Sequence, residues 1–207
     1  MTFVTIDPRN GQESKRYPEM GPDRLERAVD RAHQAQLAWR DTPFSRRSER
    51  LRALGSLLRE RAGDYGELMT REMGKPLSEA RGEAEKCAWV AEYYAEHGEA
   101  ALAPVPVETD ASISYWAYRP LGVILGIMPW NFPFWQALRF ATPTLTAGNA
   151  ALLKHAPNVP GCAEALEQLF RDAGFPEGLF QNLFIDTDAT GQLIEHPLVR
   201  GVSLTGS

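Results

Sequence analysis

Apolar positions in the first hundred residues recur at helical spacing. Leu25, Ala28, Val29, Ala32, Leu37 and Trp39 follow Pro22 and Asp23, a helix-opening pair, and Thr42 and Pro43 break the run. A second helix carries Leu51, Leu54, Leu57 and Leu58 and continues to Met73 with an interruption near Gly66. Gly74 and Pro76 stop it, as a left-handed cap followed by a proline does. A third helix spans about Leu77 to His97, with Ala84, Trp89, Val90 and Tyr94 as its apolar side. The charged faces between these stripes are solvated surface.

The period changes after Pro104. Ile113 to Tyr118 is β-branched and aromatic and predicts a strand. Leu121 to Met128 is a short apolar run, as in a strand covered on both faces. Pro133 then stands in the first turn of a helix that runs to about Thr146 and is ended by Gly148 and Asn149. Ala150 to Lys154 predicts a strand, Asn158 and Pro160 open a helix that Gly174 closes, and Leu179 to Ile185 predicts a strand. A short helix over Thr190 to Glu195 and a last strand over Val199 to Leu204 complete the alternation. Strand-helix-strand repetition of this kind gives an α/β fold: N-terminal helices followed by a doubly wound, parallel, Rossmann-like sheet.

Composition narrows the function classes. A hydrophobic fraction of 43% with 24% charged residues is that of a globular protein of ordinary core size. The net charge of −5 offers nothing to a nucleic acid or an anionic membrane. No apolar run approaches the ~18 residues of a membrane-spanning helix, and residues 1 to 10 lack the apolar core of a signal peptide. The only cysteines, Cys87 and Cys162, have no metal-ligand or disulfide spacing, which points to reduced thiols, a cytoplasmic location and no metal.

Common chemical signatures are missing. There is no GxGxxG after a strand, no GxxxxGK[ST], no GxSxG and no HExxH. The informative segment is Pro129-Trp130-Asn131-Phe132-Pro133, which follows a buried strand and opens a helix. It therefore lies at a strand's carboxyl end, where open α/β sheets bind ligands. An Asn held between two prolines presents a side-chain N–H that can meet negative charge on a carbonyl oxygen, but Asn is also one of the best helix N-caps. Both roles fit the local residues. Trp135 and Arg139 lie four and eight positions beyond Asn131, near one face of the helix. Arg139 is a cation in an apolar and aromatic stretch, suited either to a structural ion pair or to recognition of an anion.

Ile127 to Pro133, followed by Ala147-Gly148-Asn149 and Leu153-Lys154, resembles the aldehyde dehydrogenase superfamily. So do Glu72 to Pro76, Arg119 to Val123, Ala173 to Pro176 and the terminal Leu204-Thr205-Gly206-Ser207, in matching order and spacing over essentially the whole chain. The run from Leu153 to Ala163 is similar, more narrowly, to bacterial succinate-semialdehyde dehydrogenases that use NAD or NADP. The resemblance implies that Asn131 is the side-chain half of an oxyanion hole. It implies that Ile127, Met128 and Trp130 line the cofactor cleft and that Lys154 meets the adenosine ribose or a 2′-phosphate. Thr205, Gly206 and Ser207 would lie at the pyrophosphate, and Trp135 and Arg139 would hold the substrate, Arg139 through a distal carboxylate. It also implies an oligomerisation strand near residues 111–119 and a homo-oligomer.

Two departures stand out. Many family members carry a Glu three positions after the Lys, where this chain has Pro157; that removes one ribose contact and one repulsion toward a 2′-phosphate, so either NAD or NADP is accommodated. The loop from Asp186 to Gly191 lacks a glycine that relatives place near the adenine. Family members also run to more than twice this length, with the nucleophilic Cys and the general-base Glu beyond the segment matched here. The chain is accordingly expected to be an incomplete cofactor-binding domain, 1–207, without the catalytic domain and inactive alone. Its function in a full-length enzyme would be NAD(P)-dependent oxidation of a small aldehyde, with a non-catalytic nucleotide-binding remnant or an interaction module as the alternatives.

Overall fold

The computed structural model describes residues 2–206. It opens with a hairpin of β1 (Thr2–Ile6) and β2 (Glu13–Pro18), an element absent from the expectations above. Its only sequence mark is Asn10-Gly11 between two mixed runs; Gly11 has φ 70°, the left-handed geometry that such a turn needs. Four helices follow: α1 (Pro22–Trp39), α2 (Phe44–Glu60), α3 (Ala62–Met73) and α4 (Leu77–Leu102).

The long second helix is interrupted at Arg61, not near Gly66. Arg61 has φ −100° and ψ 14°, off the helical values, and its guanidinium pairs with Asp172. Nothing in its residue type marks the break. Gly66 is helical, and α3 packs there on Arg81 of α4, whose Cγ would lie 2.9 Å from an added Cβ. Helix α4 runs past His97 to Leu102, and Trp89 is on its solvent side, 57% exposed. The buried stripe instead follows small residues, Ala80, Ala84, Ala88, Ala91 and Ala95, which let α2 and α3 approach closely.

A two-residue ribbon of β3 (Val105–Pro106) and β4 (Tyr115–Trp116) replaces the longer strand expected over 113–118. The main sheet then forms from β5 (Val123–Met128), α5 (Pro133–Thr146), β6 (Ala150–His155), α6 (Pro160–Asp172), β7 (Phe180–Asn182), α7 (Thr187–Glu195) and β8 (Val199–Leu204). Strand β7 is shorter than its apolar run, and α7 begins earlier than expected because Asp186 caps it, accepting from Ala189 N at 2.8 Å. The four strands are all parallel in the order β7-β6-β5-β8. That is the 3-2-1-4 arrangement of a doubly wound sheet, whose direction reverses between β5 and β8.

Helices cover both faces. Leu125, Leu152 and Gln181 share one row across the sheet, and Gln181 Nε2 donates to Ala28 O of α1 at 2.7 Å. Gly126, one residue on, faces the other way, where the Phe140 ring of α5 sits 2.4 Å from where a Cβ would stand. Glycine is needed there so that helix and strand can close. Helices α2, α3 and α4 stack behind α5 and α6 as a further layer of the same core. Asn149 fixes the start of β5, its Oδ1 accepting from Leu121 N at 2.7 Å and Gly122 N at 3.0 Å. Among the described residues, no helix is long and apolar enough to cross a membrane.

Candidate active site

The carboxyl ends of the strands bring together residues far apart in sequence. Ile127 of β5 is in register with Lys154 of β6 on one side and Leu204 of β8 on the other. Thr205 N donates to Ile127 O at 3.0 Å, so the turn after β8 is tied to the end of β5. Gly206 continues with φ 155°. Ser207 lies outside the described residues. Ile127 is half-buried and Trp130 is exposed, whereas the Met128 side chain is buried in the core. Two of the three residues expected to line a cofactor cleft thus stand open to a ligand.

Asn131 does not cap α5. The N-cap position is Phe132, without a side-chain cap, and among the described residues no hydrogen bond engages the Asn131 side chain, which is exposed. The capping is done by a residue that sequence reasoning missed. Glu83 of α4 accepts from Phe134 N and Trp135 N with one carboxylate oxygen, both at 2.9 Å. A carboxylate satisfies free amides of a first turn and also complements the positive end of the helix dipole. The other oxygen of Glu83 pairs with Lys75 Nζ. Lys75 Nζ also donates to Asn131 O at 3.1 Å and stands 3.6 Å from the centroid of the Phe132 ring. Both charged side chains are almost wholly buried.

His155, at the end of β6, makes a further tie. Its Nδ1 accepts from Ala156 N at 2.8 Å, which leaves Nε2 to donate to Pro133 O at 2.9 Å. Burial disfavours the imidazolium and holds the His155 pKa down at about 4, so the ring is neutral. Glu72 does for α6 what Glu83 does for α5, accepting from Gly161 N and Cys162 N at 2.7 Å each. No local pattern announces either carboxylate as a cap, since the helix each serves lies 51 positions or more down the chain.

Lys154 is half-buried at the rim of a cavity of about 310 Å³ formed with Phe3, Pro157, Ile185, Asp186, Thr187 and Asp188. Burial lowers its pKa, and the charge of Asp186 opposes that. Farther along α5, Trp135 is half-buried with Lys86 Nζ 4.0 Å from its ring centroid, and Arg139 is exposed with no ion-pair partner among the described residues. Lys86 is a cation at this ring that the sequence pattern did not single out. Cys87 and Cys162 are both fully buried, and burial raises both thiols well above their ordinary pKa, so neither is an available nucleophile.

The model of the aldehyde dehydrogenase family matches residues 1–207. The chain belongs to the aldehyde dehydrogenase family. It is 44% identical over 204 residues to succinate semialdehyde dehydrogenase [NAD(P)+] Sad of Escherichia coli (strain K12), covering 99% of this chain and 44% of that protein. It is 42% identical over 205 residues to succinate-semialdehyde dehydrogenase [NADP(+)] of Deinococcus radiodurans, covering 99% of this chain and 43% of that one. Among solved structures, succinic semialdehyde dehydrogenase from Streptococcus pyogenes, in complex with NADP+ as the cofactor, superposes with a TM-score of 0.96 at 37% identity. That match covers 99% of this chain and 45% of the other. The chain thus spans less than half the length of the curated relatives it matches.

Proposed function

We propose that this chain forms the cofactor-side half of an NAD(P)+-dependent aldehyde dehydrogenase acting on a short aldehyde with a distal carboxylate, succinate semialdehyde first. One observation carries the assignment. Among the described residues, the Asn131 side chain is unengaged at the sheet's switch point while its backbone is held from behind, and Arg139, without an ion-pair partner, lies on the helix that follows. A free amide N–H there stabilises charge that develops on an aldehyde oxygen as a nucleophile adds to the carbonyl carbon. From Pro133 to Arg139 the helix advances ~9 Å, a reach suited to a four-carbon substrate with its aldehyde at Asn131. The guanidinium would take the distal carboxylate through two parallel hydrogen bonds, with Trp135 as the apolar wall between the two ends.

The residues fit a dinucleotide. The half-buried Lys154 ammonium beside its cavity suits a ribose or a 2′-phosphate, and Pro157 puts no carboxylate against that phosphate. Ile127 and Trp130 offer apolar surface, and Thr205 and Gly206 would lie toward the pyrophosphate. When bound, the nicotinamide supplies the hydride acceptor. The two free thiols support a reducing, cytoplasmic setting. The 44% and 42% identities to proteins named for succinate semialdehyde and NADP support the substrate and cofactor.

The test is made on the full-length protein that carries this chain. Reduced-nicotinamide absorbance is followed with NAD+ or NADP+ and with succinate semialdehyde or butyraldehyde. Succinate semialdehyde should be preferred ~10- to 100-fold in kcat/KM, the worth of one charge-assisted contact. Equal use of the two aldehydes removes the carboxylate assignment, and no turnover with either removes the function.

A further inference from the structure

We infer that the buried Lys75–Glu83 pair is the positioning device for the oxyanion donor: it sets where the Asn131 side chain starts by gripping the chain at Asn131 and over the four residues that follow it. The inference rests on the function proposed above and adds two residues to it.

The grip engages four of the five residues from 131 to 135. Lys75 Nζ donates to the Asn131 carbonyl at 3.1 Å and covers the Phe132 ring at 3.6 Å. Glu83 holds the amides of Phe134 and Trp135, each at 2.9 Å. The two side chains are joined to one another, so the pair forms one rigid bridge from the α3–α4 junction to the Asn131 turn. His155 fixes the residue between, through Pro133 O at 2.9 Å. Pro129 and Pro133 limit the backbone torsions at either end of the segment. Among the described residues, nothing engages the Asn131 side chain itself.

A cap on α5 alone would need only Glu83 or a Ser, Thr, Asp or Asn at the N-cap. Lys75 supplies the counter-charge that a buried carboxylate needs, but that pairing by itself does not require the further contacts Lys75 makes. Its extra contacts are with Asn131 and its neighbour. A hydrogen bond from an ammonium to the carbonyl of the residue whose side chain must be aimed is a direct means of preorganisation. Placement matters at the level of ångströms, since an oxyanion donor acts only when its N–H meets the oxygen at hydrogen-bond distance.

The experiment is a mutant cycle in the full-length protein. Lys75→Met with Glu83→Gln removes both charges together, leaves no lone buried ion, and keeps an oxygen for the α5 amides. Wild type, this pair variant, Asn131→Ala and the triple variant are compared for kcat and for KM with succinate semialdehyde and NADP+. The pair variant should lose ~10- to 100-fold in kcat, as for a misplaced or missing oxyanion donor, with KM for NADP+ within about threefold. The triple variant should be no slower than Asn131→Ala alone, because the pair acts only through Asn131. Glu72→Gln, the matching cap on α6, should leave kcat within about twofold. Losses that add in the triple variant, or a folded pair variant with wild-type kcat, overturn the inference. Should the pair variant fail to fold, Glu83→Asp keeps the charges but withdraws the carboxylate, and the same cycle is read with it.

Failure of the underlying function is separate: wild type then turns over neither aldehyde, or Asn131→Ala keeps wild-type kcat. In that event hydrogen exchange of the peptide over 129–136 decides the positioning. Faster exchange there in the pair variant, with 160–165 unchanged, upholds the grip, and unchanged exchange over 129–136 removes it.

Discussion

The carboxylate of Glu72 accepts the backbone N–H of Gly161 at 2.7 Å, across 89 positions of sequence. Cys162 N at 2.7 Å and Thr5 Oγ1 at 2.9 Å complete its set. One side chain thus joins α3, α6 and the N-terminal hairpin. Glu72→Gln keeps one acceptor oxygen and should cost ~1–2 kcal/mol, while Glu72→Ala orphans three buried donors and should cost ~3–5 kcal/mol. Urea midpoints measure both. Equal, sub-kcal effects would mean that water reaches these donors in the folded protein.

His155 gives the protein a pH dependence in a defined window. The unfolded ring titrates near ~6.5, whereas burial holds the folded ring at about 4. Between those values the unfolded chain binds a proton that the folded one refuses, so stability present above pH ~6.5 is lost as pH falls toward about 4, by up to ~3 kcal/mol. Carboxylates held below their ordinary range, such as Asp7 and Asp172, act the same way but only at lower pH. Glu167, raised by burial, works in the opposite direction in any variant. His155→Gln should therefore flatten the slope between pH 6.5 and 4.5 in chemical denaturation. Identical slopes would show that the ring titrates normally.

Much of the sheet was legible because its signals are local. Pro133 and Pro160 open α5 and α6, and Gly174 follows the end of α6. The placement of Asn131 was legible for the same reason: it follows a buried strand and precedes a helix. What holds the site was not. Glu83, Lys75 and Glu72 look like ordinary charged residues on helices, and their partners are set by how the helical layer docks on α5 and α6. Trp89 misled because aromatic residues usually face a core, while here the core side of α4 is built from alanines. The hairpin escaped because Glu13 to Pro18 is almost entirely polar or charged and exposed, with only Tyr17 buried.

The ribbon after α4 carries a concentrated apolar surface. Ile113, Tyr115, Trp116 and Tyr118 are all exposed, with the Trp116 and Tyr118 rings in edge contact at 5.0 Å. Exposed rings beside an unpaired strand edge favour pairing with another chain. We propose that this edge is where protomers associate. Tyr115→Ser with Trp116→Ser should shift the sedimentation profile toward smaller species without lowering the unfolding free energy from urea titration by more than ~1 kcal/mol, as expected of exposed positions. An unchanged profile would move the interface elsewhere.

Lys154 should separate the two cofactors. A 2′-phosphate brings charge that NAD+ lacks, and a half-buried ammonium meets it with less screening than one in open water. Lys154→Ala should weaken NADP+ binding by ~10-fold or more, and NAD+ by only a few-fold, on the scale of one charge-assisted contact. Calorimetric titration of both nucleotides against wild type and variant reads this directly. Equal losses would place Lys154 at a group that the cofactors share.

Arg139 is the sharpest test of substrate choice. Its guanidinium is exposed and unpaired among the described residues, so its loss removes no ion pair and exposes no orphaned carboxylate. Arg139→Ala should leave the unfolding free energy from urea titration nearly unchanged, within the ~0.5 kcal/mol typical of surface positions. Against that quiet background, KM for succinate semialdehyde should rise ~10- to 100-fold while KM for butyraldehyde, the same chain without the carboxylate, moves little. Arg139→Lys should recover only part of the loss, because an ammonium cannot form the two parallel bonds of a guanidinium. Lys86 supplies the control. Its charge lies over the Trp135 ring at 4.0 Å, so Lys86→Ala should raise KM for succinate semialdehyde less than Arg139→Ala does. If the two aldehydes suffer alike in Arg139→Ala, the residue shapes the helix and not the specificity. If Lys86→Ala carries the larger effect, the carboxylate is read from α4 rather than from α5.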